Sequence, residues 1–423
     1  MIYSWQEKKT IKFDSNYIFP RYDGLSFANI PGTILNLFGL KSPNPSIKTE
    51  IFQKIPKSKK IILLLLDGFG YLSWKKYFND YSFFRMVSEK GDIFPLTSLF
   101  PSTTASCLTT LNSGLLPSEH GLPEWNVYFK EIDQVIQSLP LAPIGDRTPD
   151  ALVKKGVDPK ILFDKETIYD KLNAHNVQSF VFLREGISAS AYNRVYLKKC
   201  HIISFQSLDD LLEKLVNTIK SEKNRAYFYI YWDEFDGAAH IYGPLSKEYK
   251  EELKSFSEGM MGLLQKSKRE FCDSTLLITA DHGEITTNPK DTIYLNDLPE
   301  LVKNFAVSDH GRPILPSGNV RDVFLHVKED SLDKMQLFLQ EKLAGKAKVI
   351  KIKEAFELGL FGIKKPSRRF LDRIGNLLIL PHLHVSIWYE HVPGKKYKHL
   401  ANHGGLSRQE MLIPFGIVKL PPL

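Results

Sequence analysis

The chain has 423 residues, 43% hydrophobic and 25% charged, a balance that suits a folded protein with a large core and excludes a disordered one. Lys and Arg number 56 against 48 Asp and Glu, and the net +8 is spread over short clusters at 57–60, 364–369 and 395–398. With no aromatic-interleaved basic motif, these read as solvated surface, which argues against a stable nucleic-acid complex.

Three separated cysteines, Cys107, Cys200 and Cys272, make neither a disulfide framework nor a metal-binding pair. The N-terminus, residues 1–9, has no apolar core of signal-peptide length, and no apolar run reaches membrane-spanning length. A reducing, cytoplasmic location is therefore expected.

In chain order, residues 30–40 are expected to form a helix, with Pro31 in its first turn and Gly39 at its end. Ile61-Ile62-Leu63-Leu64-Leu65-Leu66 then reads as a strand buried on both faces, as inside a parallel sheet, and Asp67-Gly68-Phe69-Gly70 ends it. Ligands in open α/β sheets bind beyond such strand ends, although an Asp opening a turn is the plainer reading of one occurrence. Residues 73–90 look helical. The hydroxyl-dense loop Pro101-Ser102-Thr103-Thr104 follows and leads through Gly114 to His120-Gly121. Hydroxyls there cap a helix; the same position also suits a nucleophile beside free amides.

Alternating helix and strand patterns over 165–225 predict a doubly wound sheet. The aromatic strand 227–232 runs into Asp236 and His240, a spacing that places both on one helical face. After a helix over 246–266, the apolar run 275–279 ends in Ala280-Asp281-His282-Gly283-Glu284. Near the C-terminus stands His403-Gly404-Gly405. Asp67, Asp236, His240, Asp281, His282 and His403 thus offer six candidate ligands from four places, enough for two three-ligand sites with open positions.

Taken together, Asp67-Gly68, the Pro-x-x-Thr loop with Gly114 and His120-Gly121, Asp236-x-x-x-His240, Asp281-His282-Gly283 and His403-Gly404-Gly405 resemble the type I phosphodiesterase/nucleotide pyrophosphatase family of the alkaline phosphatase superfamily. The resemblance runs from about residue 20 to the C-terminus. It implies one α/β domain over 1–423, a three-layer α/β/α sandwich around a large mostly parallel sheet. A smaller α/β cap is expected within about 285–395.

The resemblance further implies a two-metal phosphodiesterase working through a phosphothreonine. Thr104 matches the nucleophile, with Thr103 as the adjacent rival. Asp236, His240 and His403 match one metal site, and Asp67, Asp281, His282 and Thr104 the other. Zinc is the expected ion, with manganese or iron as alternatives. Asn126 most nearly matches an Asn that holds a phosphoryl oxygen, one residue out of register. The expected substrate is a small phosphodiester or nucleotide.

Other features are read as structural. Ser308-Asp309-His310-Gly311 repeats the Asp-His-Gly string after a shorter, less apolar run and is expected to be a surface turn. His382 and His384 are expected to share one face of a strand, and His120 to belong to a tight turn. Arg321 opens a strand and either meets substrate or closes a turn, the structural role being favoured. Phe69, Tyr71 and Trp125 flank the motifs and suit either core or base stacking. Monoesterase or mutase activity within the superfamily, or a metal-binding protein without turnover, are the competing functions; the nucleophile loop lacks an Arg for a dianion, which favours diesters.

Overall fold

The computed structural model describes residues 1–5, 17–146 and 148–421. Of the N-terminal stretch read above, residues 6–9 lie outside them.

Lys60–Leu66 lies at the centre of a seven-stranded sheet, paired in parallel with Ala226–Trp232 on one side and Ser274–Thr279 on the other. Across the sheet the order is Asp92–Thr97, Leu412–Leu420, Ser274–Thr279, Lys60–Leu66, Ala226–Trp232, Gln178–Arg184 and His201–Phe205. Only Leu412–Leu420 runs against its neighbours, pairing antiparallel with the strands on both sides. The aliphatic run of the central strand is buried on both faces because side chains alternate across a strand. Ile62, Leu64 and Leu66 enter one core with Trp74, Phe84 and Phe256, while Ile61, Leu63 and Leu65 enter the opposite core with Ile34, Leu108 and Tyr169. Helices therefore cover both faces, and the expected three-layer α/β/α sandwich around a mostly parallel sheet is what the chain forms.

A second seven-stranded sheet is antiparallel throughout, in the order Ala347–Lys351, Leu377–Pro381, Asp322–Leu325, Ser317–Asn319, Asn126–Phe129, Gln134–Gln137 and Ala142–Pro143. It joins a hairpin from early in the chain to strands some two hundred residues later, and the seam is the pair Gly318 and Asn126. A separate core of Val323, Leu325, Met335, Leu339, Val349 and Ile379 packs this sheet against its own helix, Leu332–Lys342.

Two local expectations differ from the structure. The helix expected over 73–90 is two, Tyr71–Tyr77 and Ser82–Lys90. Between them lie Asn79 and Asp80, and residues of this kind compete for backbone hydrogen bonds and favour turns over helix interiors. His382 and His384 do not share a strand face, because the strand ends at Pro381 and His384 has a φ of +65°. His382 Nδ1 lies 3.2 Å from the Tyr17 hydroxyl, and His384 Nδ1 donates to Thr286 O at 2.7 Å. The helix expected over 30–40 runs Ile30–Leu37, and Gly39, at φ +79°, turns the chain out of it.

Candidate metal centre and nucleophile

Strand register brings the acids together. Leu65 lies opposite Thr279, so Asp67 and Asp281, each two residues further on, emerge side by side from neighbouring parallel strands. Leu66 lies opposite Trp232, after which the chain enters the helix Glu234–Tyr242. That helix carries Asp236 in its first turn and His240 one turn later, and His240 Nε2 stands 3.3 Å from Asp236 Oδ2. His403 arrives from the loop before the antiparallel strand, its Nε2 3.8 Å from Asp236 Oδ1. The turns after the two Asp strands touch backbone to backbone: a Cβ on Gly70 would fall 2.6 Å from Gly283 Cα, so both positions need glycine.

Thr104 opens the buried helix Thr104–Ser113, with Thr103 as its N-cap. Thr104 Oγ1 is 3.1 Å from His282 Nε2, and the same nitrogen lies 3.4 Å from an oxygen of Asp67 and 3.4 Å from one of Asp281. The rival Thr103 hydroxyl is buried without a hydrogen-bond partner.

The donor set fits divalent cations. The other ring nitrogen of each histidine faces a carbonyl: His240 Nδ1 donates to Ala401 O at 2.7 Å, His403 Nδ1 to Ser102 O at 3.2 Å and His282 Nδ1 to Gly283 O at 3.2 Å. A carbonyl only accepts, so the proton is on Nδ1 and each Nε2 turns a lone pair inward, as metal-ligating histidines do. Opposite these lone pairs, Asp67 Oδ1, Asp236 Oδ1 and Asp281 Oδ2 are buried without any hydrogen-bond donor. Lone pairs on both sides of one space suit a cation between them.

Among the described residues, three groupings have ligand atoms within 4.8 Å of one another: Asp67, Asp281 and His282; Asp236, His282 and His403; and Asp236, His240 and Glu284. The first is the triad expected from the sequence. Asp236 reaches both His240 and His403, while the stacked rings of His282 and His403, with centroids 3.7 Å apart, join the two halves of the site. Glu284 is the residue that sequence reasoning passed over. The available signal was an acid in the same loop, directly after Asp281-His282-Gly283.

Charge crowding sets the electrostatics. Burial, then the charges of Asp281 and Asp236, push the Asp67 carboxyl well up, and burial with the Asp236 charge does the same to Glu284. Burial also pushes on Asp236, but charge on the His240 and His403 rings, when they are protonated, outweighs it and holds its carboxyl below the ordinary range. Tyr231 donates to Asp67 Oδ2, and Gly68 N donates to Asp281 Oδ1 at 3.2 Å, which orient the two acids.

Beside Thr104 and Asp67 opens a mainly apolar cavity of about 350 Å³, walled by residues that include Leu108, Trp125, Leu139, Leu183, Tyr192 and Tyr229. Trp125 and Leu139 reach it from the turns of the second sheet's hairpin. Asn126 is not in this wall; its Nδ2 donates to Gly318 O at 3.0 Å, at the sheet seam.

The structural readings have specific contacts. Arg321 is fully buried and pairs through Nε and Nη2 with both oxygens of Glu410, at 3.0 and 3.1 Å. Glu410 in turn accepts from Gly405 N at 2.9 Å and so holds the loop that presents His403. His120 lies between Thr110 Oγ1 and Leu122 N, at 3.1 and 3.0 Å. His310 is exposed in a turn and faces Asp133, far in the chain from the cluster. Phe69 and Tyr71 are core residues.

The family model described as type I phosphodiesterase / nucleotide pyrophosphatase matches residues 61–406. Human ectonucleotide pyrophosphatase/phosphodiesterase family member 1 is 38% identical over 88 residues, 20% of this chain and 9% of that protein. Mouse family member 7 is 33% identical over 116 residues, 26% of this chain and 25% of that protein. The matches thus span a quarter or less of these relatives' lengths. Among solved structures, murine ectonucleotide pyrophosphatase/phosphodiesterase 5 is similar in fold, with a TM-score of 0.63 at 17% identity, covering 85% of this chain and 88% of that one. An inactive variant of the murine protein in complex with AMP gives 0.62 at 17% identity, covering 85% and 87%.

Proposed function

The chain belongs to the type I phosphodiesterase/nucleotide pyrophosphatase family, and on that premise we propose that it hydrolyses phosphate diesters of the nucleotide class at Thr104 with two bound divalent cations. The observation that carries this reading is the position of Thr104 Oγ1, 3.1 Å from His282 Nε2 within the carboxylate cluster and at the wall of an apolar cavity. Zinc is the proposed ion, with manganese or iron suiting the same Asp and His donors.

Bound cations supply the charge that makes the Thr104 hydroxyl acidic and steadies the departing alkoxide. Thr104 Oγ1 attacks phosphorus and expels the alcohol half of the diester; water then attacks the phosphothreonine and restores the hydroxyl. The first amides of the Thr104 helix, ahead of Cys107 N, which bonds Thr103 O, face the phosphoryl oxygens. Asn126 gives one amide hydrogen to Gly318 and keeps a second for a phosphoryl oxygen in the role proposed for it. Leu108, Trp125, Tyr192 and Tyr229 offer a nucleobase apolar and aromatic surface, in keeping with the AMP bound to the murine relative. The nucleophile loop 101–104 carries no Arg to match a monoester dianion, which favours diesters. The hairpin 126–143 and the strands within 285–395 together are proposed as the cap, the hairpin supplying the cavity wall. A cytoplasmic location is proposed on the three free thiols, Cys107, Cys200 and Cys272.

The test is hydrolysis of an aryl phosphodiester beside its monoester by metal-free protein reconstituted with zinc or manganese. Metal-dependent diester turnover that vanishes in Thr104→Ala supports the proposal; monoester preference, or turnover that survives the substitution, overturns it.

A further inference from the structure

Glu284 stands out because its surroundings leave its carboxylate without a purpose in a metal-free protein. Both Oε atoms are buried and accept no hydrogen bond, and after burial the charge of Asp236 is what presses most on its carboxyl. Room has been made for this approach. Gly68 takes φ +70°, and a Cβ there would fall 3.1 Å from Glu284 Oε1 and 3.2 Å from Asp236 Cβ. A side chain at 68 would push the two carboxylates off the space they share.

Two buried carboxylates and the lone pair of His240 Nε2 converge within 4.8 Å; a shared proton satisfies at most two of these groups, whereas a cation between them satisfies all three. Glu410, by contrast, has donors in Arg321 and Gly405 N. We infer that Glu284 is an additional ligand of the cation held by Asp236 and His240, resting on the two-metal reading above. With His403 also beside Asp236, an ion there would have two carboxylates and two imidazoles to draw on, whereas one at Asp67, Asp281 and His282 would have two carboxylates and one imidazole, with the Thr104 hydroxyl. The extra oxygen donor makes the Asp236 site harder and more anionic than an Asp-His-His set, which shifts its preference towards manganese or iron relative to zinc.

The measurement is calorimetric titration of metal-free protein with Mn2+ and with Zn2+, for the wild type, Glu284→Gln and Glu284→Asp, together with the melting temperature of each with and without metal. Glu284→Gln should leave one ion bound as before and weaken the other at least about tenfold, with Mn2+ losing more than Zn2+. Its metal-free form should melt higher than the metal-free wild type, since a buried carboxylate facing Asp236 is gone, and its metal-induced rise should be smaller. Glu284→Asp keeps the charge but is one methylene short, so it should also weaken the second ion; it serves if the Gln variant does not fold. Unchanged affinities for both ions in both variants, or a metal-free Gln variant that melts lower with metal binding intact, would overturn the assignment and make Glu284 structural. A wild type that binds no metal sinks the two-metal reading itself, an outcome distinct from failure at Glu284 alone.

Discussion

Thr104 Oγ1 and His282 Nε2 are 3.1 Å apart, and because His282 Nδ1 donates to the Gly283 carbonyl, that Nε2 can only accept. The threonine hydroxyl therefore points its proton at a nitrogen that also faces Asp67 and Asp281. Removing the hydroxyl deletes the nucleophile but neither carboxylate nor imidazole. Thr104→Ala should lower diester turnover by on the order of 10³-fold or more while bound metal, measured by elemental analysis, stays at the wild-type level. Turnover within a few fold of wild type would place the nucleophile elsewhere.

Arg321 and Glu410 form a two-pronged ion pair that is wholly buried, and the acid also anchors the His403 loop. Arg321→Met leaves a buried carboxylate with only Gly405 and Ser407 as donors and no countercharge. The expected cost is about 3–5 kcal/mol in denaturant unfolding, with metal affinity at the Asp236 site falling as His403 loses its support. A loss under about 1 kcal/mol would show that solvent reaches Glu410.

Burial of His120 lowers its pKa from 6.5 to about 3, the positive charge of Lys165 adding to the effect. The native ring binds its proton less readily than the unfolded one, so its contribution to stability is complete above pH 6.5 and is lost as pH falls towards about 3. The slope in that window is about 1.4 kcal/mol per pH unit. Thermal melts of the wild type against His120→Gln from pH 7 to pH 4 should show the wild type losing ground faster. Parallel curves would mean that His120 titrates normally.

Trp125 presents an indole at the cavity wall beside Thr104. Stacking on a base contributes roughly 1–3 kcal/mol, so Trp125→Ala should raise KM for nucleotide diesters about tenfold or more and change KM for a small alkyl diester little. Equal effects on both would assign Trp125 to shaping the fold around the nucleophile.

Much of this protein is legible in local sequence because its chemistry sits where strands end. An apolar run closed by Asp67-Gly68 and another closed by Asp281-His282-Gly283 each announce a buried strand and a polar terminus, and Asp236 with His240 at helical spacing announces a shared face. Those signals are set by residues within one turn or one strand of each other. Strand order is not local: the sequence does not say that Lys60–Leu66 lies between Ala226–Trp232 and Ser274–Thr279, and it is this adjacency that makes the acids neighbours. The union of the 126–143 hairpin with strands beyond 317 is equally distant in sequence and equally unreadable from it. Glu284 shows the limit most plainly. Its letter is visible beside the Asp-His-Gly string, but its meaning comes from Gly68 on one strand end and Asp236 on the helix after another. Local patterning determined which side chains stand at strand ends; only tertiary packing decided which of them face one another across a space that suits a cation.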